Sequence, residues 1–205
     1  VLVAFLYRFI PVPFTPLMCI RLVEKKMEGK PMRFKKDWVD IEEAGPMPIA
    51  AMAGEDAKFM EHMGFDFDAI NKAMDYNKTH RKKKGASTIS QQTAKNVFLW
   101  PGRTWLRKGL EVYFTVLIEL LWPKERILEV YVNVIEMGDG IYGVEAASKY
   151  YFKKPARKMN RLEAAKIAAI LPSPRRWSVK NPSAYVTKRQ LWIRNNMDYI
   201  KEIDI

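Results

Sequence analysis

Gly85 to Asn96 reads G-A-S-T-I-S-Q-Q-T-A-K-N, and its reading sets the class of fold. Thr88 and Gln91 have the T-x-x-Q spacing of a capping box, in which the hydroxyl accepts the N–H three residues on and the glutamine returns to the threonine's own N–H. A helix over Thr88–Leu99 follows, halted by W-P-G. Upstream, T-H-R-K-K-K-G is a basic loop ending at Gly85. Further upstream, Pro46–Met60 and Phe67–Lys78 read as helices. Downstream, a long helix spans Thr104–Trp122, and Pro123 suits the first turn of the next, which continues to about Glu136. M-G-D-G-I-Y-G is a Gly-rich turn, and Gly143–Tyr151, Arg161–Leu171 and Tyr185–Ile203 complete the helical set. Arg33–Trp38 is the one modest strand candidate, so the fold class is mainly α. V-Y-F-T-V-L-I-E-L-L-W in the long helix is apolar almost all round, which predicts a buried helix.

The chain has 205 residues, 48% of them apolar, and a formal net charge of +12. That length suits one domain, or one domain with a small lobe, and can bury a sizeable core. The charge points to an anionic partner: nucleic acid, anionic lipid or a phosphorylated substrate. The single Cys19 excludes an internal disulfide and a cysteine-based zinc cluster. His62 and His80 do not have metal-site spacing.

Val1–Ile10, V-L-V-A-F-L-Y-R-F-I, carries one charge and is followed by the helix-breaking P-V-P-F-T-P. Ten residues are half of the roughly 20 needed to cross a bilayer. The segment reads as the end of a membrane anchor that continues upstream; the alternative is a buried N-terminal helix. L-M-C-I-R-L-V-E-K-K is amphipathic and suits the headgroup layer.

Three stretches can carry chemistry. In G-E-D-A-K-F-M-E-H-M-G-F, Glu55 and Asp56 precede Phe59 and His62; a Glu among apolar neighbours can act as a general base, or the pair can be a charged helix turn. In the Gly85 stretch, Ser87 and Thr88 open a helix whose free N–H groups suit an anion, and Gln91, Gln92, Lys95 and Asn96 follow. With Arg103, Arg107 and Lys108 they could clamp a diphosphate, or form an ordinary capped, solvated helix. In R-K-G-L-E, Glu111 shares a face with Arg107 and Lys108, as a site group or as a structural ion pair. Glu119 reads as structural.

Taken together, these stretches resemble the family 51 peptidoglycan glycosyltransferases over most of the chain. The family's E-D-x-x-F-x-x-H-x-G is Glu55, Asp56, Phe59, His62 and Gly64; its G-x-S-T-I-[ST]-Q-Q-x-x-K-N is Gly85 through Asn96. Its R-K-x-x-E is Arg107, Lys108 and Glu111, and its remaining blocks are Ile127 through Phe152 and Glu163 through Pro174. P-V-P-F and F-L-W-P-G-R look like the stand-alone, monofunctional members. Gly54 stands where alanine is expected, and Val132 and Glu136 are mild departures.

The resemblance implies a lysozyme-like fold with a head and a membrane-touching jaw, the latter including about Phe65–Lys84. It implies residues 1–20 as the end of a transmembrane anchor with an interfacial segment, and 21–205 as the glycosyltransferase domain. The implied reaction joins a glycan on undecaprenyl diphosphate to lipid II with inversion, making β-1,4-linked strands for the cell wall. Glu55 would be the base and Glu111 a second catalytic acid organising the diphosphate site. Lys95, Arg103 and Lys108 would meet the diphosphate, with Arg107 also in the substrate site. Asp56, Phe59 and His62 would shape the site around Glu55, while Ser87, Thr88, Gln91, Gln92 and Asn96 would line the donor groove. No cofactor is required on this reading, with a divalent cation, Mg or Mn, left open at Glu111. Expected partners are lipid II, the lipid-linked glycan and the membrane, with other cell-wall synthesis proteins as candidates and no nucleic acid. The place is the inner membrane, single-pass, with the domain on the periplasmic side. A lytic hydrolase on the same fold would not need the cation cluster. A nucleic-acid module would leave the acids unexplained, although H-R-K-K-K suits phosphates. None of the serines has a lysine three positions on, so a transpeptidase S-x-x-K is not expected.

Overall fold

A computed structural model describes residues 1–81, 83–102 and 104–200. Its helices are α1 (Leu2–Leu6), α2 (Pro16–Met27), α3 (Met47–Glu55), α4 (Phe67–Thr79), α5 (Ile89–Phe98), α6 (Trp105–Leu121), α7 (Lys124–Val134), α8 (Val144–Phe152), α9 (Arg161–Ile170) and α10 (Ala184–Asn196). Three short strands are β1 (Lys35–Lys36), β2 (Glu136–Gly138) and β3 (Ile141–Tyr142), in the order β1-β3-β2. β1 runs parallel to β3, with Lys35 opposite Ile141; β2 is antiparallel to β3, with an irregularity between Glu136 and Gly138. The mainly α expectation holds, and the Gly-rich turn is a small hairpin.

Two helical groups make the core. α9 packs on α3 and α10, and α5 packs between α6 and α7. Alanine permits the close approach of the first group: Ala50, Ala51 and Ala53 of α3 and Ala164, Ala165, Ala168 and Ala169 of α9 are all buried. α7 joins the groups by touching α3, and it buries Ile127, Leu128, Val130, Tyr131, Val132 and Val134.

The first expected helix stops at Glu55 rather than Met60. Asp56 leaves the helical conformation, and its carboxylate accepts the backbone N–H of Ile89 at 2.9 Å. That bond draws the start of α5 against the end of α3. The capping box is formed as the sequence predicts: Thr88 accepts from the Gln91 N–H, and Gln91 returns to the Thr88 N–H. The Thr88 hydroxyl also donates to the Gly64 carbonyl at 2.6 Å. Gly64 has φ +83°, and a Cβ there would lie 2.9 Å from the Thr115 methyl on α6, so the turn needs glycine.

α6 overturns the expectation of a helix buried all round. Its buried residues are Arg107, Glu111, Thr115, Ile118 and Glu119, whereas Val112, Tyr113, Val116 and Leu120 are exposed. The polar stripe faces inward and most of the apolar stripe outward. The inner acids are satisfied within the fold: Glu119 binds Lys124 at 2.8 Å and takes a short hydrogen bond from Ser90.

At the N-terminus, α1 is five residues long. Trp122 donates its indole N–H to the Ala4 carbonyl at 2.7 Å, and Arg126 donates to the carbonyls of Tyr7 and Ile10. The segment therefore lies against the α6–α7 corner. No helix among the described residues is long and apolar enough to cross a membrane.

Candidate active site

Glu55 closes α3 at the wall of a groove. A cleft of about 390 Å³ on one side is lined by Glu55, Lys72, Tyr76, Lys84, Ser87 and Thr88. On the other side a cleft of about 210 Å³ is lined by Gln92, Lys95, Asn96, Tyr131 and Glu136. A third, of about 320 Å³, shares Lys95 and Asn96 and reaches Arg21, Trp100 and Arg107.

Glu55 is held from both sides. Gln92 donates to its Oε2 at 3.1 Å, and Arg189 of α10 donates to its Oε1 at 2.8 Å. Burial pushes the Glu55 carboxyl above its ordinary value, and the bonds from Gln92 and Arg189 and the charges of Arg189 and Lys95 oppose this only in part. Tyr131 donates its hydroxyl to Gln92 Oε1 at 3.2 Å. Burial holds that phenol well above its ordinary value, so it stays a donor and fixes the Gln92 amide with its NH₂ toward Glu55. Arg189 also donates to the Gly54 carbonyl at 2.9 Å, and a Cβ on Gly54 would meet Ile193 Cδ1 at 3.1 Å. Ile193 thus fills the space that alanine would take.

Glu111 is the second buried carboxylate. Arg107 donates to Oε2 at 2.9 Å and Lys108 to Oε1 at 2.6 Å. Among the described residues the buried Nε of Arg107 has no partner. Lys95 lies between the two acids. Burial pulls its ammonium below the ordinary value; Glu111 and Glu55 oppose that, and Arg107 and Lys108 add to it. Among the described residues Lys95 has no ion pair, and it lines both clefts beyond Glu55.

The other sequence candidates divide. Gln92, Lys95 and Asn96 share the groove face of α5, although Asn96 spends its amide on the Gln92 carbonyl at 2.8 Å. Ser87 and Thr88 line the cleft before Glu55, and Gln91 is buried in the capping box. Asp56, which lines the cleft beside Glu55, and His62 bind each other at 3.0 Å, and Phe59 is fully buried with the Lys124 ammonium 4.5 Å from its ring centroid. They brace the loop after Glu55. Arg103 lies outside the described residues. Arg189 and Tyr131 were not singled out as site residues. Tyr131 lies within a quoted block, Ile127 through Phe152, so that block was its signal, whereas Arg189 lies beyond every block.

Among the described residues no cluster of three or more His, Cys, Asp and Glu side chains could hold a metal ion. Glu111 is a single carboxylate whose two oxygens already accept from a guanidinium and an ammonium, a poor donor set for a hard divalent cation.

The site thus holds one partly compensated carboxylate, one carboxylate paired with two cations, and a half-buried lysine without an ion pair among the described residues. Residues 24–198 match the model of the Transglycosylase family, and the chain belongs to that family. It is 61% identical over 193 residues to the biosynthetic peptidoglycan transglycosylase of Bdellovibrio bacteriovorus, covering 94% of this chain and 77% of that protein. Proteins of the same name from Caulobacter vibrioides and Bacteroides thetaiotaomicron are 55% and 53% identical, over 92% and 98% of this chain and 80% and 81% of theirs.

Proposed function

We propose that the chain polymerises lipid II into β-1,4-linked glycan strands, with undecaprenyl diphosphate as the leaving group. The observation that carries the reading is Lys95, which lines the clefts beside Gln92 and Arg107 and feels the charges of both Glu55 and Glu111. Glu55, with its proton affinity raised, takes the proton from the 4-hydroxyl of the acceptor N-acetylglucosamine. That oxygen attacks the anomeric carbon of the donor N-acetylmuramic acid as its bond to the diphosphate oxygen breaks, with inversion. The geometry parallels inverting glycoside hydrolysis, with a sugar hydroxyl in place of water. The departing diphosphate needs cations more than a proton. Among the described residues Lys95 has no competing acid bound to it, and Arg107 and Lys108 stand behind it through Glu111. Arg189 and Gln92 hold Glu55 toward the groove.

The membrane reading has its own support. The outward apolar stripe of α6, with Trp105 94% and Leu120 73% exposed, is costly in water and suited to a bilayer surface. The exposed Val1, Leu2, Phe9 and Ile10 lie on the same chain end that packs on the α6–α7 corner. On this reading Val1–Ile10 ends a single-pass anchor, and the domain works on the periplasmic face of the inner membrane.

Incubation with labelled lipid II tests the reaction. A polymer that lysozyme degrades is expected from the native chain and not from Glu55→Gln. Release of free disaccharide by water, without polymer, would replace the transferase reading with a hydrolase.

A further inference from the structure

A second basic cluster stands apart from the groove. Four cations surround one ring: Lys180 Nζ, Arg33 Cζ, Lys153 Nζ and Lys35 Nζ lie 5.0, 5.3, 5.7 and 5.8 Å from the centroid of Tyr150. Among the described residues none of the four has an ion pair. The nearby acid Asp37 is taken by Lys149 at 3.2 Å, which also reaches Glu145 at 3.1 Å. Like charges gathered around one ring repel, and cation–π attraction at an exposed site offsets only part of that. Beside the ring is a cleft of about 300 Å³ lined by Lys35, Lys36, Lys149, Tyr150 and Lys153, with Asp37 as its one acid among the described residues. It shares no lining residue with the clefts around Glu55 and Lys95.

The surroundings are apolar. Phe14, itself exposed, stacks on Phe34 with centroids 5.8 Å apart, and Met32 is exposed next to Arg33. Lys36 lies 5.4 Å over Trp38, Arg126 lies 5.3 Å over the same ring, and Arg126 holds the carbonyls of Tyr7 and Ile10. The basic cleft is thus linked by direct contacts to the exposed apolar N-terminal segment. A soluble acidic peptide would use the cations and leave the apolar rim in water; a lipid surface uses both.

We propose that the Tyr150 cluster is an anion site separate from the reaction groove that takes the phosphodiester headgroup of an anionic phospholipid. The proposal rests on the membrane reading above and adds a lipid preference to it. In function the site would set the domain's orientation on the surface, since a fixed charge contact beside the N-terminal segment restrains rotation about it.

The test is sedimentation with phosphatidylglycerol and phosphatidylcholine vesicles at fixed salt. The native chain is compared with Lys35→Gln/Lys153→Gln/Lys180→Gln and with the charge-matched control Lys158→Gln/Lys166→Gln/Lys188→Gln. The native chain should prefer phosphatidylglycerol. The first variant should lose at least about tenfold of that preference, since each basic residue near an anionic surface contributes roughly fivefold. The control should lose much less, and polymerisation in detergent should be unchanged in both. Equal loss in both variants, or none in the first, would overturn the site while leaving the membrane reading intact. Equal binding of the native chain to both lipids would do the same. No binding to either vesicle would overturn both readings. Displacement from the vesicles by polyglutamate, beyond that by salt of equal ionic strength, would assign the site to an acidic peptide instead.

Discussion

The Glu55 and Glu111 ends of the candidate site use the same residue type in opposite ways. Glu111 is neutralised twice, by Arg107 and Lys108 from its own helix. Glu55 has one cation at contact distance among the described residues, Arg189, brought from the far end of the chain, and its carboxyl stays above the ordinary value. A carboxylate saturated with cations holds those cations in place; one left short of compensation attracts a proton. On the proposed reaction the difference makes Glu55 the base and Glu111 the organising acid, and each can be broken separately.

The largest expected effect is on turnover. Glu55→Gln keeps the shape and removes the base, at a cost of roughly 10²–10⁴ in rate. The fold should barely notice. A carboxyl whose affinity for protons rises on folding destabilises the folded state when ionised, so the neutral amide relieves desolvation as it gives up the Arg189 pair. A normal melting curve with near-normal lipid II turnover would remove Glu55 from the mechanism. Glu111→Gln should do the reverse in stability. It leaves Arg107, whose side chain is 10% exposed, facing a neutral amide. Breaking such a buried pair costs about 3 kcal/mol or more, and thermal unfolding would read it. If the two variants melt alike, the contrast between the ends is wrong.

A pH profile sharpens the Glu55 end. The base must be ionised, so the rate should fall as pH drops through a value above the usual carboxylate range. Arg189→Gln removes an interaction that lowers the Glu55 value. The acidic limb should therefore move to higher pH, with partial recovery in alkali. A variant that was only misfolded would lose rate at every pH and show no displaced limb.

What the sequence made legible was local. The capping box, the Gln92–Lys95–Asn96 face and the Arg107–Lys108–Glu111 cluster all depend on spacings of three or four residues, which a helix converts directly into neighbours. Arg189 and Tyr131 meet Glu55 and Gln92 across 134 and 39 residues, and no local period carries that information. α6 failed for another reason. Its apolar run was read as if water lay on every free side, so apolar meant inward. The helix instead turns Glu111 and Glu119 inward, where cations and Ser90 meet them, and leaves Val112, Val116 and Leu120 outside. The stop at Glu55 was missed because it depends on Asp56 turning to the start of α5, a tertiary hydrogen bond.

The smallest expected effect tests how the Glu55 end is held together. Glu111 depends on its own helix, whereas Glu55 depends on the register between α3 and α5, and Thr88 sits at that junction. Its hydroxyl accepts from Gln91 and donates to Gly64, while the neighbouring Ile89 N–H is held by Asp56. Thr88→Ala removes the cap and leaves a buried carbonyl short of its donor, for about 1 kcal/mol. In a chain of this size that lowers the melting temperature by roughly 2–4 °C. Thr88→Ser keeps the hydroxyl and should restore most of the loss. If the serine melts with the alanine, the threonine methyl rather than the cap holds the junction. Arg107 and Lys108 touch none of these groups, so the loss from Thr88→Ala should simply add to that from Glu111→Gln in the double variant. A large coupling between them would show that the two ends of the site are one mechanical unit.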